Sequence, residues 1–157
     1  MKIDALDGSL IHGRWEAGRK VREVADPANN SPFASFYEAG LDEVERAVAS
    51  SKQAFDKSEW RRNPSLRAKS LLRLADLIRS STEPLARLET LETGHPIKET
   101  RHAIGAAAAN FEYFSGLPDK IEGQCIPVNA NAFSYTIREA LGVTAHIVPW
   151  NHPFLLM

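Results

Sequence analysis

Gly142 opens the segment Val143-Thr144-Ala145-His146-Ile147-Val148, which is largely apolar on both alternating faces, the pattern of a strand covered on two sides in a parallel sheet. Such a strand needs neighbours, and each parallel neighbour requires a crossover of roughly a dozen residues or more. No second segment of this kind occurs in the 157 residues. Just beyond it, Asn151 can cap a helix with Pro153 in the first turn, yet only Phe154-Leu155-Leu156-Met157 follow, an apolar start without a body or a C-cap. The sequence therefore reads as the front part of a longer α/β protein.

Upstream, Leu10-Ile11-His12 and Val21 to Val24 are short extended pieces broken by Gly13, Gly18, Pro27, Asn29-Asn30 and Pro32, which predicts strands and turns at a domain edge. At Asp42 the period changes. Val44, Val48, Ser51 and Phe55 share one helical face, Asp42 and Glu45 have capping-box spacing, and a helix is expected over about 43–56. Asn63-Pro64 is a second start signal, with Leu71, Leu74, Ala75 and Ile78 at helical spacing up to about Ser80. Thr82 can cap a third helix with the stripe Leu85, Leu88 and Leu91, stopped by Gly94 and Pro96. A fourth carries Ile97, Ile104, Ala108, Phe111 and Phe114 up to Gly116, and its alanine run Ala106 to Ala109 permits close packing. After Pro118, Ile121 to Val128 and Phe133 to Ile137 predict a hairpin around Asn129-Ala130-Asn131. An isolated hairpin is marginal in water, so this arm is expected to lie on the body of the protein or on another subunit.

A formal charge of -1, from 19 basic and 20 acidic residues, offers no field for a polyanion or an acidic membrane. Hydrophobic residues at 43% can build a core, and no apolar run approaches membrane-spanning length. The single cysteine, Cys125, and the acidic start Met1 to Asp7 point to a reducing, cytoplasmic setting without a targeting segment. His12, His95, His102, His146 and His152 show no zinc-ligand spacing, so no metal is expected. Cys125 sits in the predicted hairpin without a nearby base and reads as structural. Glu92, Glu99 and Glu112 read as solvated helix positions, and no glycine-rich phosphate loop is present. Trp150 and Asn151 follow the carboxyl end of the predicted parallel strand, where open α/β sheets bind ligands. The Asn151 amide could stabilise an oxyanion or merely cap its helix, and the residue types alone leave both open.

The run Arg138-Glu139-Ala140-Leu141-Gly142-Val143, followed by Pro149-Trp150-Asn151-His152-Pro153, resembles the aldehyde dehydrogenase superfamily, in which a segment near Arg-Glu-Pro-Leu-Gly-Val precedes Pro-Trp-Asn-x-Pro. Glu92-Thr93-Gly94-His95-Pro96 is similar to the family's Glu-Thr-Gly-Lys-Pro, and Asp26-Pro27-Ala28 to its Asn-Pro-Ala turn. Ala140, His95 and the short turn Asn29-Asn30-Ser31 depart from the family pattern. The resemblance implies the N-terminal part of a Rossmann-like cofactor domain. Residues 1–120 would hold its first strands and helices, 121–138 an oligomerisation arm, and 139–157 the start of the dinucleotide-binding core.

By the same resemblance the complete enzyme would oxidise a small-molecule aldehyde to an acid with NAD or NADP, through a cysteine thiohemiacetal, as a homo-oligomer. Asn151 would be the oxyanion donor. Val148, Pro149 and Trp150 would lie beside the cofactor, and His152 and Leu156 would line the aldehyde tunnel. Cys125 matches none of the family's catalytic positions, so this chain alone is expected to be inactive. The competing reading is a short, non-catalytic protein that binds or caps a full-length relative.

Overall fold

The computed structural model describes residues 8–157, so the reading of Met1 to Asp7 lies outside the described residues. Two antiparallel hairpins come first. β1 (Ser9–Ile11) pairs with β2 (Arg14–Glu16), and β3 (Lys20–Asp26) pairs with β4 (Ser31–Glu38) with an irregularity at Val24/Ala25. The turn between β3 and β4 is closed by Asp26, whose carboxylate accepts from Ala28 N and whose carbonyl accepts from Asn30 N. Four helices follow: α1 (Leu41–Lys57), α2 (Pro64–Ser80), α3 (Thr82–Thr93) and α4 (Ile97–Ser115). All four are the helices expected from the 3.6-residue period. A small antiparallel pair, β5 (Cys125–Ile126) and β6 (Ser134–Tyr135), completes the α/β chain.

The caps differ in detail from the sequence reading. α1 starts after Gly40 rather than at Asp42: Glu43 accepts the Gly40 N–H at 2.8 Å, while Asp42 turns away to pair with Arg19 at 2.6 Å. A glycine leads there because a carboxylate three residues on can reach back to its N–H without any side chain at the cap. That bond, reinforced by Arg46, holds the Glu43 carboxyl below its ordinary pKa. Asn63 caps α2 as expected, accepting from Leu66 N. Thr82 does not cap α3. It is the first helical residue, and its hydroxyl donates back to the Ile78 and Arg79 carbonyls that end α2, so the two helices meet with almost no loop.

The core lies among α2, α3 and α4. Ile78, Ala86, Ile104 and Ala108 form it, with Leu85, Ile97, Phe111 and Phe154 packed against it. Small residues on α4 let the helices approach closely: Ala103, Ala107 and Ala108 are buried, and Thr100 bonds Thr90 across α3 and α4 at 2.9 Å. The stripe of α1 is uncovered, because Val44 and Val48 are each half exposed. The hairpin arm is likewise open, with Ile121, Phe133, Tyr135 and Ile137 exposed and only two residue pairs in register.

Two expected features are not formed. Residues 143–148 make no ladder and are exposed, Ile147 almost completely. A parallel strand is made by its neighbours, and among the described residues none runs beside this one. The expected helix at Asn151 is a single turn, closed by Leu156 N donating to the His152 carbonyl at 3.2 Å. One turn fixes several dihedrals for one hydrogen bond, which does not sustain a helix. Among the described residues no helix is long and apolar enough to cross a membrane.

Glu83 joins α3 to α4 on the surface. Its carboxylate accepts from Arg101 at 2.8 and 3.0 Å and from Arg87 at 2.8 Å, and these bonds lower its pKa from the ordinary 4.5 to about 2. A depressed carboxylate contributes stability that is present above its unfolded pKa and lost as pH falls through the folded value. Glu83→Gln should therefore lower the melting temperature slightly at pH 5 and above, the difference shrinking to nothing as pH approaches about 2. Thermal unfolding of both proteins across that range checks the sign; a deficit that grows toward acid would contradict it.

Candidate functional site

The segment Val148 to Met157 is placed by two prolines and one aromatic. Pro149 and Pro153 lack backbone donors, so neither can extend a ladder or close the turn, and the chain between them runs free of regular structure. Phe154 then anchors it by packing on the α2–α3–α4 core. Val148, Pro153, Phe154 and Met157 lie against Leu85, Leu88, Glu89 and Glu92 of α3 around a cleft of about 240 Å³. On the other side, His152 and Leu155 face Lys98, Glu99, His102 and Ala103 of α4 around a wider cleft of about 540 Å³. The segment is thus wedged between α3 and α4.

The structure separates the residues singled out from the sequence. Trp150 projects outward, 83% exposed, with Pro149 also exposed and Val148 partly so. Asn151 is half-buried, and among the described residues no hydrogen bond engages its amide, so the expected capping bond is absent and both amide hydrogens are free to donate elsewhere. Leu156 points out rather than into either cleft, and Leu155 takes the place beside His152. His152 is the best held: its ring stacks on His95 with centroids 4.6 Å apart and planes 10° from parallel, and its Nδ1 lies 3.6 Å from Glu89 Oε1.

Sequence reasoning missed Glu89 and gave His95 no role. Glu89 is 4% exposed, on the apolar side of α3. The signal was available, since Glu89 falls four residues after Leu85 and one after Leu88, within the stripe that faces the core. His95 comes into place because Gly94 ends α3 at φ 79°, a left-handed conformation that glycine adopts without cost. A Cβ at that position would stand 3.0 Å from Pro27 of the β3–β4 turn, so the same glycine also admits that turn. Cys125 is exposed on β5 opposite Tyr135, in the hairpin rather than in this site. Among the described residues no group of three or more potential ligands converges on a point suited to a metal ion.

The sequence model of the aldehyde dehydrogenase family matches residues 15–157. An aldehyde dehydrogenase of Aspergillus niger is 38% identical over 152 residues, covering 96% of this chain and 30% of its own length. Among solved structures, an NAD-dependent aldehyde dehydrogenase from Sinorhizobium meliloti superposes with a TM-score of 0.92 at 30% identity, over 99% of this chain and 32% of that one. A double mutant of betaine aldehyde dehydrogenase from Staphylococcus aureus, solved in complex with NAD+, gives 0.89 at 32% identity, over 96% of this chain and 31% of that one. The chain spans about 30% of the length of the curated relatives it matches.

Proposed function

Because this chain belongs to the aldehyde dehydrogenase family, we propose that it supplies the oxyanion-donor segment and one wall of the cofactor site to an enzyme that oxidises an aldehyde to a carboxylic acid. The family match across residues 15–157 carries this reading, and the free amide of Asn151 supports it. In the complete enzyme a cysteine thiolate adds to the aldehyde carbon, and the carbonyl oxygen becomes an oxyanion. Asn151 donates its side-chain N–H to that oxygen. An amide can do this without taking up or losing a proton, so the interaction is available across the pH range in which the thiolate forms.

Val148, Pro149 and Trp150 would hold the nicotinamide cofactor. Their exposed, largely apolar edge is open to a planar ring, and no described strand competes for it, so the residues fit the group. NAD or NADP, when bound there, supplies the hydride acceptor. His152 and Leu156 remain our assignment for the aldehyde tunnel, although in this chain His152 is turned toward α3 and Leu156 outward. The exposed hairpin, with Ile121, Phe133 and Ile137 uncovered, supports its role as an oligomerisation arm over residues 121–138, flanked by residues 1–120 and 139–157 as the two parts of the cofactor domain. The compartment we assign is the cytoplasm, in keeping with the unpaired Cys125.

We assign Cys125 no catalytic role: it lies on β5, and its cross-strand neighbour is Tyr135 rather than a histidine. The purified 157-residue chain should give no NADH or NADPH with aldehydes, and Cys125→Ser should change nothing. Production of reduced cofactor that disappears in Cys125→Ser would overturn the assignment. The same open arm also favours a second reading, a non-catalytic chain that binds a full-length relative. Mixing the chain with an active family member separates the two: formation of a stable complex that alters the relative's turnover supports the second.

A further inference from the structure

Glu89 is buried on α3, and among the described residues neither of its carboxylate oxygens has a hydrogen-bond partner. A carboxylate removed from water without a partner is costly, so a buried one normally serves the group it faces. That group is His152, whose buried Nδ1 also lacks a hydrogen bond and stands 3.6 Å from Glu89 Oε1. At that separation the two groups face each other at close range without a completed hydrogen bond. One face of the His152 ring is covered by His95, whose own Nδ1 lies 3.5 Å from Glu99 Oε2 on α4. Glu89 of α3 and His95 of the α3–α4 connection thus both meet the residue next to Asn151, and the carbonyl of His152 closes the turn by accepting from Leu156 N.

Asn151 makes no side-chain hydrogen bond among the described residues, so what its neighbour can hold is the backbone turn that carries it. We propose that Glu89 is a positioning residue: by facing the Nδ1 edge of His152, whose ring is stacked on His95, it fixes the turn that carries Asn151. This rests on the reading of Asn151 as the oxyanion donor. Glu89 touches neither substrate nor cofactor in this scheme. Its effect should appear in turnover rather than in cofactor binding, because a donor misplaced by a fraction of an ångström loses transition-state contact first.

The test uses the complete enzyme with Glu89→Gln, which removes the charge at nearly constant shape, and His152→Phe, which keeps a ring for the stack but removes Nδ1. Glu89→Gln should lower kcat by about 10- to 100-fold with the cofactor KM within about twofold. In the His152→Phe background the same change should cost little more, since the partner is already gone. Additive losses in the double variant would overturn the proposal, as would an unchanged kcat in a folded Glu89→Gln enzyme. If Glu89→Gln fails to fold, Glu89→Asp keeps the charge but draws it back by a methylene: a reduced kcat in the folded variant supports the proposal and an unchanged one overturns it. Amide exchange read by mass spectrometry on this chain decides the contact independently of chemistry. Residues 152–157 should exchange faster in Glu89→Gln while α4 stays protected, and no difference there would also overturn it. Should Asn151→Ala leave kcat intact while this exchange difference is seen, the oxyanion reading fails and the Glu89–His152 contact stands.

Discussion

Ile104→Ala should destabilise the chain by about 2–5 kcal/mol, the range for truncating a buried isoleucine to alanine. Ile104 is completely buried on α4 and is the largest apolar side chain so enclosed, and its neighbours are Ile78 of α2, Ala86 of α3 and Ala108 of its own helix. Two of those neighbours are alanines whose backbones already lie close, so the surroundings have little side chain to collapse into the space. The loss is large against a total stability of about 5–15 kcal/mol for an ordinary domain. It should appear as a fall in melting temperature on the order of 10 °C. Ile104→Val, which removes one methyl, should cost about 0.5–1.5 kcal/mol and calibrate the site. Since Phe154 packs on the same cluster, the truncation should also loosen residues 151–156, visible as faster amide exchange there. An unchanged melting temperature would mean that the helices close over the gap.

The four helices were legible because each announces itself twice, by an apolar stripe at helical spacing and by punctuation such as Asn63-Pro64 and Gly94. Where one of these signals was weak, detail was lost. The start of α1 was displaced because Asp42 and Glu45 have the right spacing for a cap, while Gly40 and Glu43 perform it. The stripe Val44, Val48, Phe55 gave the helix but not its exposure, since amphipathicity specifies a face to be covered and says nothing of what covers it. The same limit explains residues 143–148. A double-sided apolar pattern records a requirement for neighbouring strands, and in this chain those residues stay exposed and unpaired.

At the site, the motif Pro149 to Pro153 was visible in one dimension, whereas the carboxylate that faces it comes from α3 more than sixty residues earlier, a separation that no local pattern reports. Glu89 could have been flagged as a charge in an apolar stripe, but its partner could be found only in three dimensions.

Asn151→Ala in the complete enzyme should lower kcat by about 10² to 10³ fold, the scale seen when one oxyanion-hole donor is removed. The reason lies in timing. In the proposed reaction the oxygen carries full negative charge only after the thiolate has added, so the amide contact would strengthen between ground state and transition state and contribute to turnover rather than to binding. A helix-cap role would instead appear as lost stability of roughly 1 kcal/mol with kcat retained in the folded fraction. Asn151→Asp sharpens the contrast, since it keeps the size of the residue and places a negative charge where negative charge develops.

The most direct measurement is the single-turnover rate of reduced-cofactor formation in the complete enzyme for Asn151, Asn151→Ala and Asn151→Asp, with cofactor Kd determined on the same preparations. The expected result is a rate lower by about 10² to 10³ fold in Asn151→Ala, at least as low in Asn151→Asp, and Kd values within about twofold of the parent. Rates near the parent's in both folded variants would contradict the assignment of this chain as the source of the oxyanion donor.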